Sequence, residues 1–271
     1  MLAIKNNIMA ANAARHLGMS YDKLAQSVER LSSGLRINSA KDDAAGLAVR
    51  ELMRADIAVL QQGARNALDG ISMLQTFEGA MGTIDEALVR MKQLAQQAAT
   101  GSYSVAQRAI MDNEFDEMAA EIDRIAGATS FNGNTLLNSA TASVAIQFGA
   151  GTTDKVDVTG CNVTSSALGL TSASIDTVGA AQSALATIAT AITTKDTARA
   201  RFGYKMNRLE STISVINNQA ENLMAAESRI SDVDVATEMA TMTRTQVLAQ
   251  AGVAMLAQAN TVPQMALSLL R

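Results

Sequence analysis

Proline is almost missing from this chain: the only one is Pro263 in 271 residues. Everything before it lacks the strongest helix breaker, which permits very long uninterrupted helices. Tryptophan is absent and aromatics make up 3%, so the 48% hydrophobic content is mostly Ala, Leu, Ile, Val and fifteen Met. That mixture suits helix–helix seams better than a sheet-rich core. A single cysteine, Cys161, excludes an internal disulfide, and a single histidine, His16, excludes a His/Cys metal cluster of the usual spacing. The same scarcity removes the ordinary nucleophile–base pairs of an enzyme. A net charge of −4 with no Lys/Arg cluster argues against nucleic-acid or anionic-membrane partners. The opening MLAIKNNIMAANAARHL is broken by Asn6, Asn7 and Asn12, so it has no apolar signal-peptide region and export by a cleaved signal is not expected.

What is present is periodicity. Leu17, Tyr21, Leu24, Val28, Leu31 and Leu35 follow in steps of three and four, the seam of a one-sided amphipathic helix that needs a partner. Gly34 interrupts it, and Ser39 to Asp43 reads as a short irregular connector. The spacing resumes at Met53, Ile57, Leu60, Ala64, Ala67, Ile71 and Leu74, takes one extra three-step to Phe77, and continues through Met81, Ile84, Leu88, Met91, Ala95 and Ala98. The extra step has the form of a stammer. A helix of this extent would be about 80 Å long, against a radius of gyration near ~19 Å for a compact chain of this size, so an elongated rod is expected. Gly101 ends it, and a third helix carries Met111, Phe115, Met118, Ile122 and Ile125.

Residues 128–175 are rich in Ser, Thr, Gly and Asn, with no charge between Arg124 and Asp154, which predicts a surface excursion. Within it Val144, Ile146 and Phe148 alternate, as do Val156 and Val158, predicting one β-hairpin near 142–160. Helical spacing returns from Val178 to Ile230, broken in register by Lys195, Arg199 and Glu227. A last helix opens at Ser231 to Asp234, a cap with acids at the positive end of the dipole, and carries Val235, Met239, Met242, Ala249, Val253 and Leu256 on its seam.

From Thr245 to Leu270 there is no charge. A membrane-spanning helix is the alternative that length allows. It is disfavoured by Gln246, Gln250, Gln258, Asn260 and Gln264, each costly in hydrocarbon. Burial among identical helices fits better, because amides can hydrogen-bond to neighbours and a charge-free Ala-rich surface packs without unpaired ions. The fold expected is mainly α, long antiparallel helices in a nested coiled coil, first helix against last, with one small β-hairpin. The class of function is self-assembly, with a soluble helical adhesin or signalling module as the rival. Assembly predicts that residues 1 to ~40 and ~235 to 271 are largely disordered in an isolated chain, since nothing covers their second faces.

Three stretches resemble the bacterial flagellins, the subunits of the flagellar filament: LSSGLRINSAKDDAAGLA at 31–48, ENLMAAESRISDVD at 221–234, and QAGVAMLAQAN at 250–260 with Pro263-Gln264 and Leu267 to Leu270. The likeness covers nearly everything outside the middle. It implies an inner domain from residues 1–44 with 232–271 and an outer helical-bundle domain at 45–231, a short form without further outer domains. It also implies an extracellular filament, export through the flagellar secretion apparatus, and partners among the export chaperone, hook-junction and cap proteins, with no cofactor. Leu17, Tyr21, Leu24, Val28, Leu31, Val253, Leu256, Leu267 and Leu270 would then form the assembly surface.

Leu88 to Leu94 resembles the flagellin segment read by Toll-like receptor 5, with Arg90, Leu94 and Glu114 as receptor contacts, although Val89 stands where a polar residue is common. Other motifs have plainer readings. Gly149 to Lys155 lacks the Walker spacing and reads as a hairpin turn. Asp42-Asp43 supplies too few carboxylates for a cation site, His16 decorates the first helix, and Cys161 is a free thiol.

Overall fold

A computed structural model describes residues 6–268. Among them are five helices and one two-stranded sheet: α1 (Ile8–Ser33), α2 (Ala44–Ala98), α3 (Val105–Ala128), β1 (Ser143–Gln147), β2 (Lys155–Thr159), α4 (Val178–Ser231) and α5 (Val235–Ser268). The expected mainly α fold with one hairpin is what forms. α2 and α4 run for 55 and 54 residues, the lengths that a proline-free sequence permits. The chain divides into two compact units, residues 1–55 with 222–271, and residues 56–221.

In the unit of residues 56–221, the predicted seam of α2 is the core: Ala67, Leu74, Phe77, Met81, Ile84, Leu88, Met91, Ala95 and Ala98 are fully buried. The extra step to Phe77 keeps that residue inside, where its ring meets Phe202 of α4 at 6.5 Å between centroids. α3 opens with a reciprocal capping box, in which Ser104 Oγ accepts from the Gln107 amide and Gln107 Oε1 accepts from the Ser104 amide. It contributes Phe115 and Ile122 to the core. Lys195, which breaks the apolar register of α4, is 1% exposed and pairs with Asp85 at 2.5 Å and Asp196 at 2.8 Å. Arg199 pairs with Glu78 at 2.8 Å, so both charged interruptions face carboxylates.

Residues 128–175 are not the surface excursion that their composition predicts. Leu136, Leu137, Val163, Leu168, Leu170 and Ile175 are buried in the same core as the helices. Backbone bonds between non-adjacent turns hold them there: Cys161 N donates to Leu136 O at 2.7 Å and Val163 N to Leu137 O at 2.9 Å. Two α3 carboxylates accept further amides, Asp123 from Ser165 N and Asp112 from Ile175 N, both at 2.7 Å. The polar composition reflects turns tied back by their own hydrogen bonds, which satisfy a buried loop's backbone.

The hairpin pairs antiparallel with Val144 opposite Val158 and Ile146 opposite Val156. It seats on α2 at two glycines. A Cβ on Gly63 would lie 2.0 Å from Phe148 O, and one on Gly70 would lie 2.4 Å from Ile146 Cδ1. Cys161 is buried beside it, and that burial pushes its thiol up to about 11, leaving it protonated and inert at neutral pH.

Candidate assembly surface

The unit of residues 1–55 and 222–271 is built on one clasp and one helix pair. At the clasp, Gly34 takes the left-handed conformation (φ 74°) and ends α1, its N–H donating to Arg30 O. The chain then pairs with the α4–α5 junction: Arg36 N donates to Ser231 O at 2.6 Å, Val233 N to Gly34 O at 3.1 Å, and Arg36 Nη2 to Ile230 O at 2.7 Å. Ile37 is buried beneath, and Arg50 Nη1 donates to its carbonyl at 2.9 Å.

The two adjacent carboxylates of the connector have separate structural work. Asp42 accepts from Ser39 N and Oγ, both at 3.0 Å, and from Asn38 N at 3.3 Å, bonds that hold its carboxyl below the usual range, Ser39 first. Asp43 caps α2 by accepting from Gly46 N at 2.8 Å. Gly46 leaves room for both neighbours, since a Cβ there would lie 2.4 Å from Asp43 Oδ2 and 2.8 Å from Ile37 Cδ1. These contacts give a physical reason for most of the signature at 31–48. Among the described residues no group of three or more His, Cys, Asp or Glu is placed to hold a metal.

α5 opens where the sequence predicts. Asp234 accepts from Thr237 Oγ1 at 2.6 Å and Ala236 N at 3.0 Å, and its carboxyl is held below the usual value mainly by the Thr237 hydroxyl. From there α1 and α5 run antiparallel. Ser27 Oγ donates to Glu238 at 2.5 Å, Gly252 lies against Leu17, and Asn7 Nδ2 donates to Ala259 O at 2.8 Å.

The covered stripes differ slightly from the predicted ones. On α1, Leu17, Leu24 and Leu31 are half-buried and Ser27 is fully buried, while Tyr21 and Val28 stand on the rim, 51% and 50% exposed. On α5 the stripe is Met242, Thr245, Ala249, Leu256 and Ala259, whereas Val235, Met239 and Val253 are exposed. Both seams sit about one residue round the helix from their expected centres, because Ser27 and Thr245 take inner positions that an apolar pattern cannot flag. Leu270 and the side chain of Leu267 lie outside what the structure describes.

α5 is apolar on more than one side. At 100° per residue, Leu248 and Met255 share one direction while Val247 and Val253 point in two others, and all are exposed. α1 covers the remaining side, which carries Thr245, Ala249 and Leu256. An open groove of about 480 Å³ between the pair is rimmed by His16, Lys23 and Arg244, and the Ser20 hydroxyl beside His16 donates to that residue's backbone carbonyl at 3.0 Å. No described helix is long and apolar enough to cross a membrane.

The residues proposed for receptor contact lie in the other unit. Arg90 and Glu114 are part-exposed and paired with each other, Nη2 to Oε1 at 2.6 Å. Leu94 is 2% exposed and belongs to the core seam, so its side chain offers no contact surface. Sequence reasoning gave Leu94 only as part of the recognised segment and left it off the predicted α2 seam; its burial puts it in the core.

Fold and surface define a helical structural subunit whose terminal helices are covered on one side only. Residues 4–142 match the bacterial flagellin N-terminal helical region, and residues 185–270 the bacterial flagellin C-terminal helical region. A flagellin of Halalkalibacterium halodurans is 43% identical over 272 residues, covering all of both chains. A flagellin of Bacillus subtilis is 39% identical over 305 residues, again covering all of both. Among solved structures, the crystal structure of Bacillus cereus flagellin is 33% identical, with a TM-score of 0.52 over 60% of this chain and 94% of that one. A hook-associated protein of Vibrio parahaemolyticus shares the fold at TM-score 0.59 and 15% identity, covering 70% of this chain and 100% of that one. The chain belongs to the bacterial flagellins. It is a structural subunit of the extracellular flagellar filament, not an enzyme.

Proposed function

We propose that the assembly surface is the uncovered side of the terminal helix pair, with Tyr21, Val28 and Val253 packing against neighbouring copies and residues 1–44 with 232–271 forming the filament's inner shell. One observation carries this reading: α5 exposes Val247, Leu248, Val253 and Met255 on sides away from its single partner helix, an apolar surface that is stabilised by burial. Leu17, Leu24, Leu31 and Leu256 then hold the pair together, while the rim residues face outward. Val253→Asp combined with Tyr21→Asp, compared with wild type by sedimentation and electron microscopy, tests it. Filaments are lost while the helical circular dichroism of residues 56–221 persists; filaments at wild-type yield would overturn the reading.

The finer partners follow from the same family. Export through the flagellar secretion apparatus, with a chaperone covering the apolar helices beforehand and junction and cap proteins at the filament ends, accounts for an exposed surface that must not aggregate on the way. Recognition by Toll-like receptor 5 would use the part-exposed Arg90–Glu114 pair. Equal signalling in a receptor reporter by Arg90→Ala, Glu114→Ala protein would remove that assignment.

A further inference from the structure

The methionines are divided between the units in a way that burial alone does not require. In residues 56–221, Met73, Met81, Met91 and Met111 are 3%, 0%, 0% and 9% exposed. On the terminal helices, Met9, Met19, Met239, Met255 and Met265 are 68%, 47%, 44%, 63% and 54% exposed. An unbranched thioether suits an adaptable packing surface, yet it is also the side chain most open to two-electron oxidation once solvent reaches it. These five exposed thioethers lie on α1 and α5 among other exposed apolar side chains, Tyr21, Val28, Leu248 and Val253.

We propose that Met9, Met19, Met239, Met255 and Met265 form an oxidation-sensitive modification site, so that peroxide converts the free subunit into an assembly-incompetent form while leaving the fold of residues 56–221 intact. This rests on the assembly surface proposed above. The thioether sulfur attacks one oxygen of hydrogen peroxide, the O–O bond breaks, and the other oxygen leaves as water after proton transfer. Sulfur is oxidised to the sulfoxide and peroxide is reduced. A sulfoxide places a strong acceptor where neighbouring copies present apolar surface, and burying it without a donor is unfavourable. In the polymer the same sulfurs are covered and react slowly. The sensitivity therefore belongs to the subunit before it is incorporated, and existing filament is spared. The core methionines, already enclosed in the single chain, are spared in both states.

The test treats full-length monomer and assembled filament with limiting hydrogen peroxide, maps sulfoxides by peptide mass spectrometry, and measures the critical concentration for assembly. In the monomer, sulfoxide accumulates at the five terminal positions and not at Met73, Met81, Met91 or Met111, and the critical concentration rises about tenfold, ~1.4 kcal/mol per added subunit. Methionine sulfoxide reductases of both stereospecificities restore it. A variant with all five residues changed to Leu assembles and ignores peroxide; should it fail to assemble, reductase rescue of the wild type decides the matter. Unchanged assembly by monomer oxidised at all five positions overturns the inference, as does equal oxidation of these residues in intact filament. Val253→Asp run in parallel separates the two readings. If it blocks assembly and oxidation does not, only the redox inference falls; if neither does, the assembly surface falls with it.

Discussion

The two units of this chain differ less in secondary structure than in what their helices enclose. Residues 56–221 bury Phe77, Met81, Ile84, Leu88, Met91, Phe115 and Ile122 completely, a three-helix core completed by the hairpin and its flanking turns. Among its described residues, the unit of 1–55 and 222–271 has only Ile37, Ala249 and Ala259 as buried hydrophobics, while Tyr21, Val28, Leu52, Val235, Val247 and Val253 stand exposed. Charge follows the same divide: 11 Lys/Arg against 17 Asp/Glu in the first unit, and 11 against 9 in the second. One unit carries its own stability. The other has the apolar residues for a core and leaves most of them facing out, the arrangement expected where other copies complete the packing.

The largest effect expected from this contrast comes from removing one terminal helix. Deleting residues 250–271 takes away Val253, Leu256 and Ala259 and leaves Leu17 without the helix that covers it. Assembly, read by sedimentation, is abolished, while the thermal transition of residues 56–221 is unchanged. Hydrogen exchange in the intact monomer sharpens the same contrast: amides of α1 and α5 exchange orders of magnitude faster than those of α2 from Leu74 to Leu94. Matching protection in a proven monomer would show the terminal pair to be stable alone.

Phe115→Ala should behave in the opposite way. Its ring is fully buried between the helices of residues 56–221, and truncation leaves a cavity that a rigid helical core closes only in part. The loss is about 3–5 kcal/mol in urea unfolding of that unit. A loss near zero would mean that this core is far more plastic than its complete burial indicates.

How legible these features were in the sequence depended on periodicity. The α2 seam from Ala67 to Ala98 was readable because every third or fourth residue is apolar, and the single irregular step to Phe77 falls inside the helix without exposing it. The hairpin was readable from alternation at Val144, Ile146, Val156 and Val158. The packing of Leu136, Leu137, Val163 and Leu168 was not, because irregular turns have no period and their burial depends on distant partners such as Asp112 and Asp123 of α3. Nor was the true centre of the terminal seams legible: it passes through Ser27 and Thr245, whose hydroxyls are satisfied by Glu238 and by α5 carbonyls. The signature near residues 31–48 was recognisable as a string, but its logic lies in the clasp. There Gly34 provides a turn, Asp42 and Asp43 hold amides, and Gly46 makes room for Ile37.

A smaller effect distinguishes the charged interruptions of the core unit from apolar packing. Lys195 is buried, while its partners Asp85 and Asp196 remain part-exposed, so much of the pairing is screened. Lys195→Met is expected to change stability by no more than about 1 kcal/mol, since the thioether fills the stem's space and removes an ammonium that must be desolvated. Asp85→Ala keeps the ammonium and removes one of its acceptors, so it costs more, about 1–2 kcal/mol after allowance for exposure. Combining the two should recover most of that loss in the same unfolding assay. A double variant no better than Asp85→Ala would mean that the Asp85 carboxylate acts through something other than Lys195.

The smallest effect concerns acid and the connector of the terminal unit. Asp42 and Asp234 are both held below their ordinary value of 3.8, Asp42 by Ser39 and Asp234 by Thr237. Because the folded value is the lower one, their contribution is complete above the ordinary value and is lost as pH falls through the folded value. Neutral pH should therefore leave the clasp untouched, and acid should release it only below about pH 4. Asp42→Asn and Asp234→Asn each flatten that acid limb, without altering the acid response of residues 56–221, when α1 and α5 amides are followed by hydrogen exchange. Carboxyl titration by NMR gives the decisive check: an Asp42 or Asp234 that titrates at or above 3.8 would show that these hydrogen bonds do not hold the clasp in solution.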